Sequence, residues 1–327
     1  MNFKSKLLYF LISFIFIIPT NVLAYSKYLI PGGESVGIKV VGDGVMVVGF
    51  YKVDNTYIAK EAGFKLGDRI VSINNSKVNS VEDLINKIDR SDDIINVTYG
   101  IIRNNKDQEI TMTLNKSNDS SYKTGIYVKD SITGIGTLTF IEPSTNIYGA
   151  LGHEITDTNT NKLFDIKSGN IFSSNIISIS KGSINTPGEK NAKINIKDVY
   201  GDIKYNYETG IFGTLTKKIS DEEIIPVAEM DEVMIGKAEI ITVINGNKKE
   251  KFDIEILSID KTNATKNFVI KVVDEKLLKK TGGIIKGMSG SPIIQNGKLV
   301  GAITHTIVDN PKKGYGISII KMLESIE

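Results

Sequence analysis

The chain has no cysteine, no tryptophan and only two histidines in its 327 residues. Without a thiol there is no disulfide, no thiolate zinc site, no iron–sulfur cluster and no cysteine nucleophile. Two histidines, His153 and His305, are too few for a multi-histidine metal centre, so any imidazole chemistry must use one of them. No metal and no cofactor are expected. Charge of one sign is missing as well: 40 Lys and Arg face 38 Asp and Glu, and no basic arm or stripe is present to hold a nucleic acid. Only one long apolar run exists, Leu7 to Ile18. It follows the basic start Met-Asn-Phe-Lys-Ser-Lys and precedes Val22-Leu23-Ala24, whose small residues suit a signal peptidase. The run is short of the ~20 residues of a membrane span, although Pro19 to Ala24 extends it. Residues 1–24 are therefore read as a secretory signal, with a membrane anchor that is processed later as the alternative. Everything beyond Ala24 is expected outside the exporting membrane.

What is present suits packed globular domains: 41% hydrophobic residues, 24% charged, and a length that accommodates two domains of roughly 100–200 residues. From Ile30 to Leu114 short β-like runs alternate with two helical ones. Ser80-Val-Glu-Asp83 is a helix start with a serine cap and an acidic third position. Val81, Leu84, Ile85 and Ile88 then fall at i, i+3, i+4 and i+7, which predicts one buried stripe. A shorter helical piece, Ile58 to Ala62, ends at Gly63. Residues 117–123, beginning within Lys116-Ser-Asn-Asp-Ser-Ser121, read as a polar linker. Beyond it the strand-like runs Thr137 to Ile141, Ala238 to Ile244, Lys251 to Ile259 and Phe268 to Val273 dominate. Asn245-Gly246 and Asn296-Gly297 are hairpin signals between such runs. The expected fold is mainly β, an α+β unit at 30–116 followed by an antiparallel β domain at 124–327.

Gly33-Glu-Ser-Val-Gly-Ile38 and Ala62-Gly-Phe-Lys-Leu-Gly-Asp68, the latter running into Arg69-Ile-Val-Ser-Ile-Asn-Asn75, resemble a PDZ domain. The resemblance implies a loop, Ser35-Val36-Gly37-Ile38, that presents backbone amides to a peptide carboxylate. The physical rationale is that Gly37 lets neighbouring N–H groups converge on an anion. An extended peptide, either a C-terminus or an internal segment, would then add as a strand beside the helix that starts at Ser80.

The strongest chemical signal is Gly287-Met-Ser-Gly-Ser-Pro292. A nucleophilic serine needs a curled, small-residue turn that exposes its Oγ while adjacent amides form an oxyanion hole. Ser289 is the candidate nucleophile, and the amides of Gly287 and Ser289 are the candidate oxyanion donors. His153, 136 residues earlier, is the candidate general base in the order His, Asp, Ser. His305 and its neighbour Thr304, on the hairpin after the nucleophile, are read as the wall of the substrate cleft. The orienting acid is open among Asp157, Asp198, Asp202 and Asp274. Asp274 also suits the N-cap of a short helix that ends at Gly282.

Gly134-Ile-Gly-Thr-Leu-Thr-Phe140, Ala150-Leu-Gly-His153, Gly282 to Pro292 and Val300-Gly-Ala-Ile-Thr-His305 together resemble the SpoIVB-type sporulation peptidases, over essentially residues 25–327. The resemblance implies a chymotrypsin-like double barrel after the PDZ domain, with Asp274 as the triad acid. It also implies a serine endopeptidase, secreted by a forespore into the space between its two membranes. There it would process itself and cleave a membrane-bound regulatory protein in trans, releasing an intramembrane protease that activates a late sigma factor. Two other readings remain: a PDZ-bearing quality-control protease of exported proteins, and a non-catalytic scaffold. The first places its PDZ domain after the peptidase, unlike this chain, and the second has no use for both Ser289 and His153.

Overall fold

A computed structural model describes residues 26–88, 94–116, 121–216 and 222–326. The proposed signal segment and part of the proposed linker lie outside the described residues. The chain opens with β1 (Tyr28–Pro31) and the 16-residue β2 (Ser35–Phe50), passes the short helix α1 (Ile58–Glu61), and continues through β3 (Arg69–Ile73), β4 (Ser76–Lys77), α2 (Val81–Ile88), β5 (Ile94–Arg103) and β6 (Lys106–Asn115). Next come β7 (Ile126–Ile141), β8 (Ile147–Ala150), β9 (Ile166–Ser180), β10 (Glu189–Asp202), β11 (Tyr205–Tyr207), β12 (Gly210–Thr214) and β13 (Ile225–Pro226). The last part comprises β14 (Gly236–Val243), β15 (Lys249–Ile259), β16 (Phe268–Val272), helix α3 (Glu275–Thr281), β17 (Pro292–Gln295), β18 (Lys298–Thr306), β19 (Lys313–Ser318) and α4 (Ile319–Leu323). The molecule is mainly β, as expected. Strands β14 to β19 close a six-stranded antiparallel barrel, and the earlier strands form one large open sheet.

The local signals were met. Ser80 Oγ accepts the Asp83 N–H at 3.0 Å, capping α2. Asn296 and Gly297 take positive φ of 54° and 74° at the β17–β18 turn, as a two-residue hairpin demands. The stripe of α2 is only partly buried, however. Leu84 and Ile88 enter the core, whereas Ile85 is 58% exposed because its side of the helix faces an open groove.

The long strands hold the surprise. Residues 35–41 of β2 pair with 137–131 of β7 on one edge, and residues 36–42 pair with β9 on the other. The far end of β2, from Val45, instead enters the PDZ-like core with Phe64, Leu84, Tyr99 and Ile126. Val36, Ile38 and Val40 belong to a different core, with Leu138, Tyr148, Leu151 and Ile171. Since Val41 lies opposite Ser131 in an antiparallel pair, the PDZ-like unit is an insertion in the β2–β7 hairpin. The two units interleave rather than follow one another.

Candidate active site

The turn expected to carry the nucleophile joins α3 to β17. Gly287 and Gly290 adopt φ of +90° and +92°, conformations that suit glycine. A Cβ on Gly290 would lie 2.0 Å from the Thr137 carbonyl oxygen and 2.5 Å from the Leu151 nitrogen, so the turn presses directly on the open-sheet half. That half grips it. Thr137 donates its N–H to Ser289 O (2.9 Å) and its hydroxyl to Gly287 O (2.8 Å), and the Thr139 hydroxyl donates to Gly290 O (2.8 Å). With those carbonyls engaged, the Gly287 and Ser289 amides donate to no protein group among the described residues. Both residues line a cleft of about 320 Å³, shared with His153, Glu154, Leu151, Lys286 and His305. Two unengaged amides beside a serine hydroxyl are the kind of donors an oxyanion hole draws on.

His153 is aimed by strained backbone. Leu151 and Gly152, the two residues before it, adopt φ of +69° and +72°. For leucine that conformation costs on the order of 1 kcal/mol, a sacrifice characteristic of functional turns. The ring Nδ1 lies 2.8 Å from the Glu154 carbonyl oxygen. A carbonyl can only accept, so Nδ1 carries the proton and Nε2 keeps the lone pair of a base. Burial holds the His153 pKa below its ordinary 6.5, which keeps the ring neutral. His305 lies against it, ring centres 4.5 Å apart; burial, with His153 and Lys266 nearby, lowers its pKa to about 4. The Ser289 hydroxyl donates to the Thr304 carbonyl at 2.6 Å, and no hydrogen bond joins it to His153.

Three expectations need correction. Asp274 is the N-cap of α3: its carboxylate accepts the Leu277 N–H at 2.8 Å, and the partner of His153 is the Glu154 carbonyl instead. Thr304 is not an open wall of the cleft; it is 2% exposed and meets Ser289 through its carbonyl. Ser35, Val36, Gly37 and Ile38 form no carboxylate loop. They are buried within β2 with both edges of that strand occupied, and Gly37 makes room for the Ile194 side chain, which would meet a Cβ there at 2.4 Å. His305 is in the lining of the cleft. Asp157 also proves structural, buried with Lys129 at 2.7 Å and accepting the Asn159 and Thr160 N–H groups.

An apolar groove lies between α2, the helix beside which a peptide was expected to add, and the start of β7. Val81, Leu84, Ile85, Tyr122, Ile126 and Val128 are among its lining, and its volume is about 370 Å³. From Ile126 to Lys129, β7 pairs with β2 on one edge only, so among the described residues its other edge is open toward α2. Gly125, with φ +73°, turns the chain into that edge. The available signal was Thr124-Gly125 before the alternating Ile126-Tyr127-Val128, placed by the polar linker outside the first unit.

A PDZ-like insertion, a closed barrel packed on an open β half, and a serine in a glycine turn that shares a cleft with a neutral histidine are the parts a PDZ-containing serine peptidase is built from. Comparison with known proteins agrees. The family model for the PDZ domain matches residues 35–114, and that for the SpoIVB peptidase S55 matches residues 120–323, well over half of the chain. The chain belongs to the SpoIVB peptidase S55 family. It is also similar to the probable protease eep of Enterococcus faecalis, 30% identical over 114 residues, which are 32% of this chain and 26% of that protein. The chain thus spans about a quarter of the length of that curated relative. Among solved structures, the active form of the Rv3671c protease of M. tuberculosis is 12% identical, covering 60% of this chain and 73% of that one with a TM-score of 0.35. The PDZ domain of an SdrC-like protein from Listeria monocytogenes is 21% identical, covering 27% and 90%, with a TM-score of 0.23.

Proposed function

We propose that Ser289 is the nucleophile and His153 the general base of this peptidase. The observation that carries the reading is the Gly287–Ser291 turn, which presents a serine hydroxyl between two unengaged amides in the cleft of a neutral histidine. The hydroxyl must first swing from the Thr304 carbonyl toward His153 Nε2. Oγ then attacks the scissile carbonyl carbon while its proton passes to Nε2. The new oxyanion takes hydrogen bonds from the Gly287 and Ser289 amides. As the intermediate collapses, the imidazolium returns the proton to the leaving amine, and water hydrolyses the acyl-enzyme with His153 again as base. The Glu154 carbonyl does the orienting that a carboxylate does in a triad, fixing the tautomer without contributing a full charge.

The substrate is a protein. We take it to be a membrane-bound regulatory protein cut in trans during sporulation, with self-processing near the N-terminus. The family membership and the signal-like residues 1–24 support that reading and a location outside the exporting membrane. Among the described residues no helix is long and apolar enough to cross a membrane. The α2–β7 groove is the place for a peptide ligand, which would extend the sheet from the open β7 edge with apolar side chains against Val81 and Ile85.

The test is labelling of the purified protein with a serine-reactive phosphonate. Covalent modification is expected at Ser289, with none in Ser289→Ala or His153→Ala and undiminished labelling in Asp274→Asn. Loss of a nucleophile or base commonly lowers turnover by several orders of magnitude, and the double variant should be little worse than either single one. Full activity in Ser289→Ala would remove the foundation of the reading.

A further inference from the structure

Behind the nucleophile turn lies a lysine to which the peptidase reading gives no task. Lys190, the second residue of β10, is 1% exposed. Its ammonium donates to the Thr242 hydroxyl at 2.8 Å, and that same hydroxyl accepts from Ser291 Oγ at 3.0 Å. No carboxylate lies within ion-pair distance of it among the described residues. The charged side chains on the elements packed around it are turned away or engaged: Glu189 and Lys286 are exposed, Glu239 of β14 is on the opposite face of that strand from Thr242, toward Lys251, and Glu250 of β15, which lies across from Thr242, is paired with Lys276 of α3. Burial alone pushes the Lys190 pKa down to about 7.

Lys190 touches the turn at three levels. Its backbone N–H donates to the carbonyl of Lys286, the residue before Gly287, at 3.0 Å. Its stem lies under Gly287, where an added Cβ would meet Lys190 Cβ, Cγ and Cδ at 3.1–3.3 Å. Its head reaches Ser291 through Thr242. The β9–β10 ribbon, rooted on β2 in the open half, carries it there. An ammonium buried without a counter-charge is unfavourable, and a methionine would fill the same volume without that penalty. The placement is therefore better explained by the turn it supports than by packing.

We propose that Lys190 is a positioning residue of the peptidase centre, bracing the Gly287–Ser291 turn from behind so that the Gly287 and Ser289 amides stay aligned for an oxyanion. The proposal rests on the assignment of Ser289 as nucleophile. In its protonated form the lysine also places positive charge behind those amides, which favours the oxyanion. That contribution is present below the Lys190 pKa and is lost as pH rises through about 7.

The experiment measures kcat and KM of the full chain on a small ester substrate across neutral pH, for wild type, Lys190→Met, Thr242→Val and Ser289→Ala. Lys190→Met is expected to fold, to lose about ten- to hundred-fold in kcat with KM nearly unchanged, and to lack the decline near pH 7, since misaligned oxyanion donors act on the transition state. Thr242→Val should lose part of the same kcat, because it severs the link from Nζ to Ser291. Wild-type kcat with a wild-type pH profile in Lys190→Met, or a change confined to KM, overturns the proposal. If Lys190→Met does not fold, the same outcomes in Thr242→Val overturn it. An active Ser289→Ala brings down the nucleophile assignment itself, and a dead one leaves the lysine variants to judge the brace.

Discussion

The two halves of the peptidase are built from the sequence in opposite ways. The closed barrel is contiguous: β14 to β19 and their connections occupy residues 236–318, and its core draws mainly on that stretch, with Phe252, Ile270, Met288 and Ile303 at its centre. The open half is assembled from segments far apart. Its β2 comes from residues ahead of the PDZ-like insertion, β7 from residues after it, and β9 from further on still. The proposed chemistry is divided between them, since the Gly287–Ser291 turn belongs to the contiguous half and His153, Thr137 and Thr139 to the assembled one. A half that closes on itself can present a turn, but only the interleaved half can grip that turn and tie it to a distant unit.

The largest effect follows from cutting where the sequence suggests a boundary. A chain beginning at residue 124 keeps Ser289, His153 and the whole closed barrel yet loses β2, whose residues 35–42 pair along both edges in the open half. It is expected to lack cooperative unfolding and all esterase activity. The complementary change replaces residues 44–128 with Asn-Gly, joining β2 to β7 by a tight turn where Val41 and Ser131 already face each other. That protein should fold and hydrolyse a small ester while losing ligand binding at the α2–β7 groove. Circular dichroism melting and ester turnover check both, and an active, folded chain from residue 124 would contradict the interleaving.

A smaller effect sharpens how one half holds the other. Thr137→Val keeps the shape and the backbone bond to Ser289 O but removes the hydroxyl from Gly287 O, leaving a buried carbonyl without that partner. The expected loss is about 1–3 kcal/mol in stability by denaturant titration. Turnover should fall further than the melting shift explains, since Gly287 carries one of the proposed oxyanion donors. Equal turnover with lowered stability would show that the grip is structural only.

The same contrast explains what could be read in advance. In the contiguous half the signals are local: Asn296-Gly297 for a hairpin, Gly287 to Pro292 for a tight glycine turn, Gly282 after a helix. Each is decided by residues a few positions apart, and each was met. In the open half the deciding interactions are long-range. Ser35 to Ile38 has the small residues of a loop, and nothing within it reveals that residues 131–137 and 166–173 will occupy its two edges. Gly37 is small because Ile194 packs on it, a partner more than 150 positions away. Lys190 was equally hidden, because lysine is rarely buried and a lone one between glutamate and asparagine reads as solvated surface.

Asp274 is the smallest expected effect and the most direct test of the site's wiring. Family resemblance made it the acid of a triad, whereas its carboxylate accepts the Leu277 N–H at the start of α3 and its backbone is extended, as a cap requires. A triad acid replaced by asparagine leaves the fold intact but presents the wrong histidine tautomer, with a loss of about 10⁴-fold in turnover. A cap replaced by asparagine changes little, because asparagine accepts the same N–H, while alanine there costs about 1 kcal/mol. In this structure the Glu154 carbonyl already sets the His153 tautomer. Asp274→Asn is therefore expected to retain turnover within a few-fold, with Asp274→Ala lowering the melting temperature by a few degrees and turnover no more than that implies. A collapse of kcat in Asp274→Asn at unchanged stability would mean that the carboxylate leaves the cap to reach His153 during catalysis, and that a rearrangement joining the two halves precedes the chemical step.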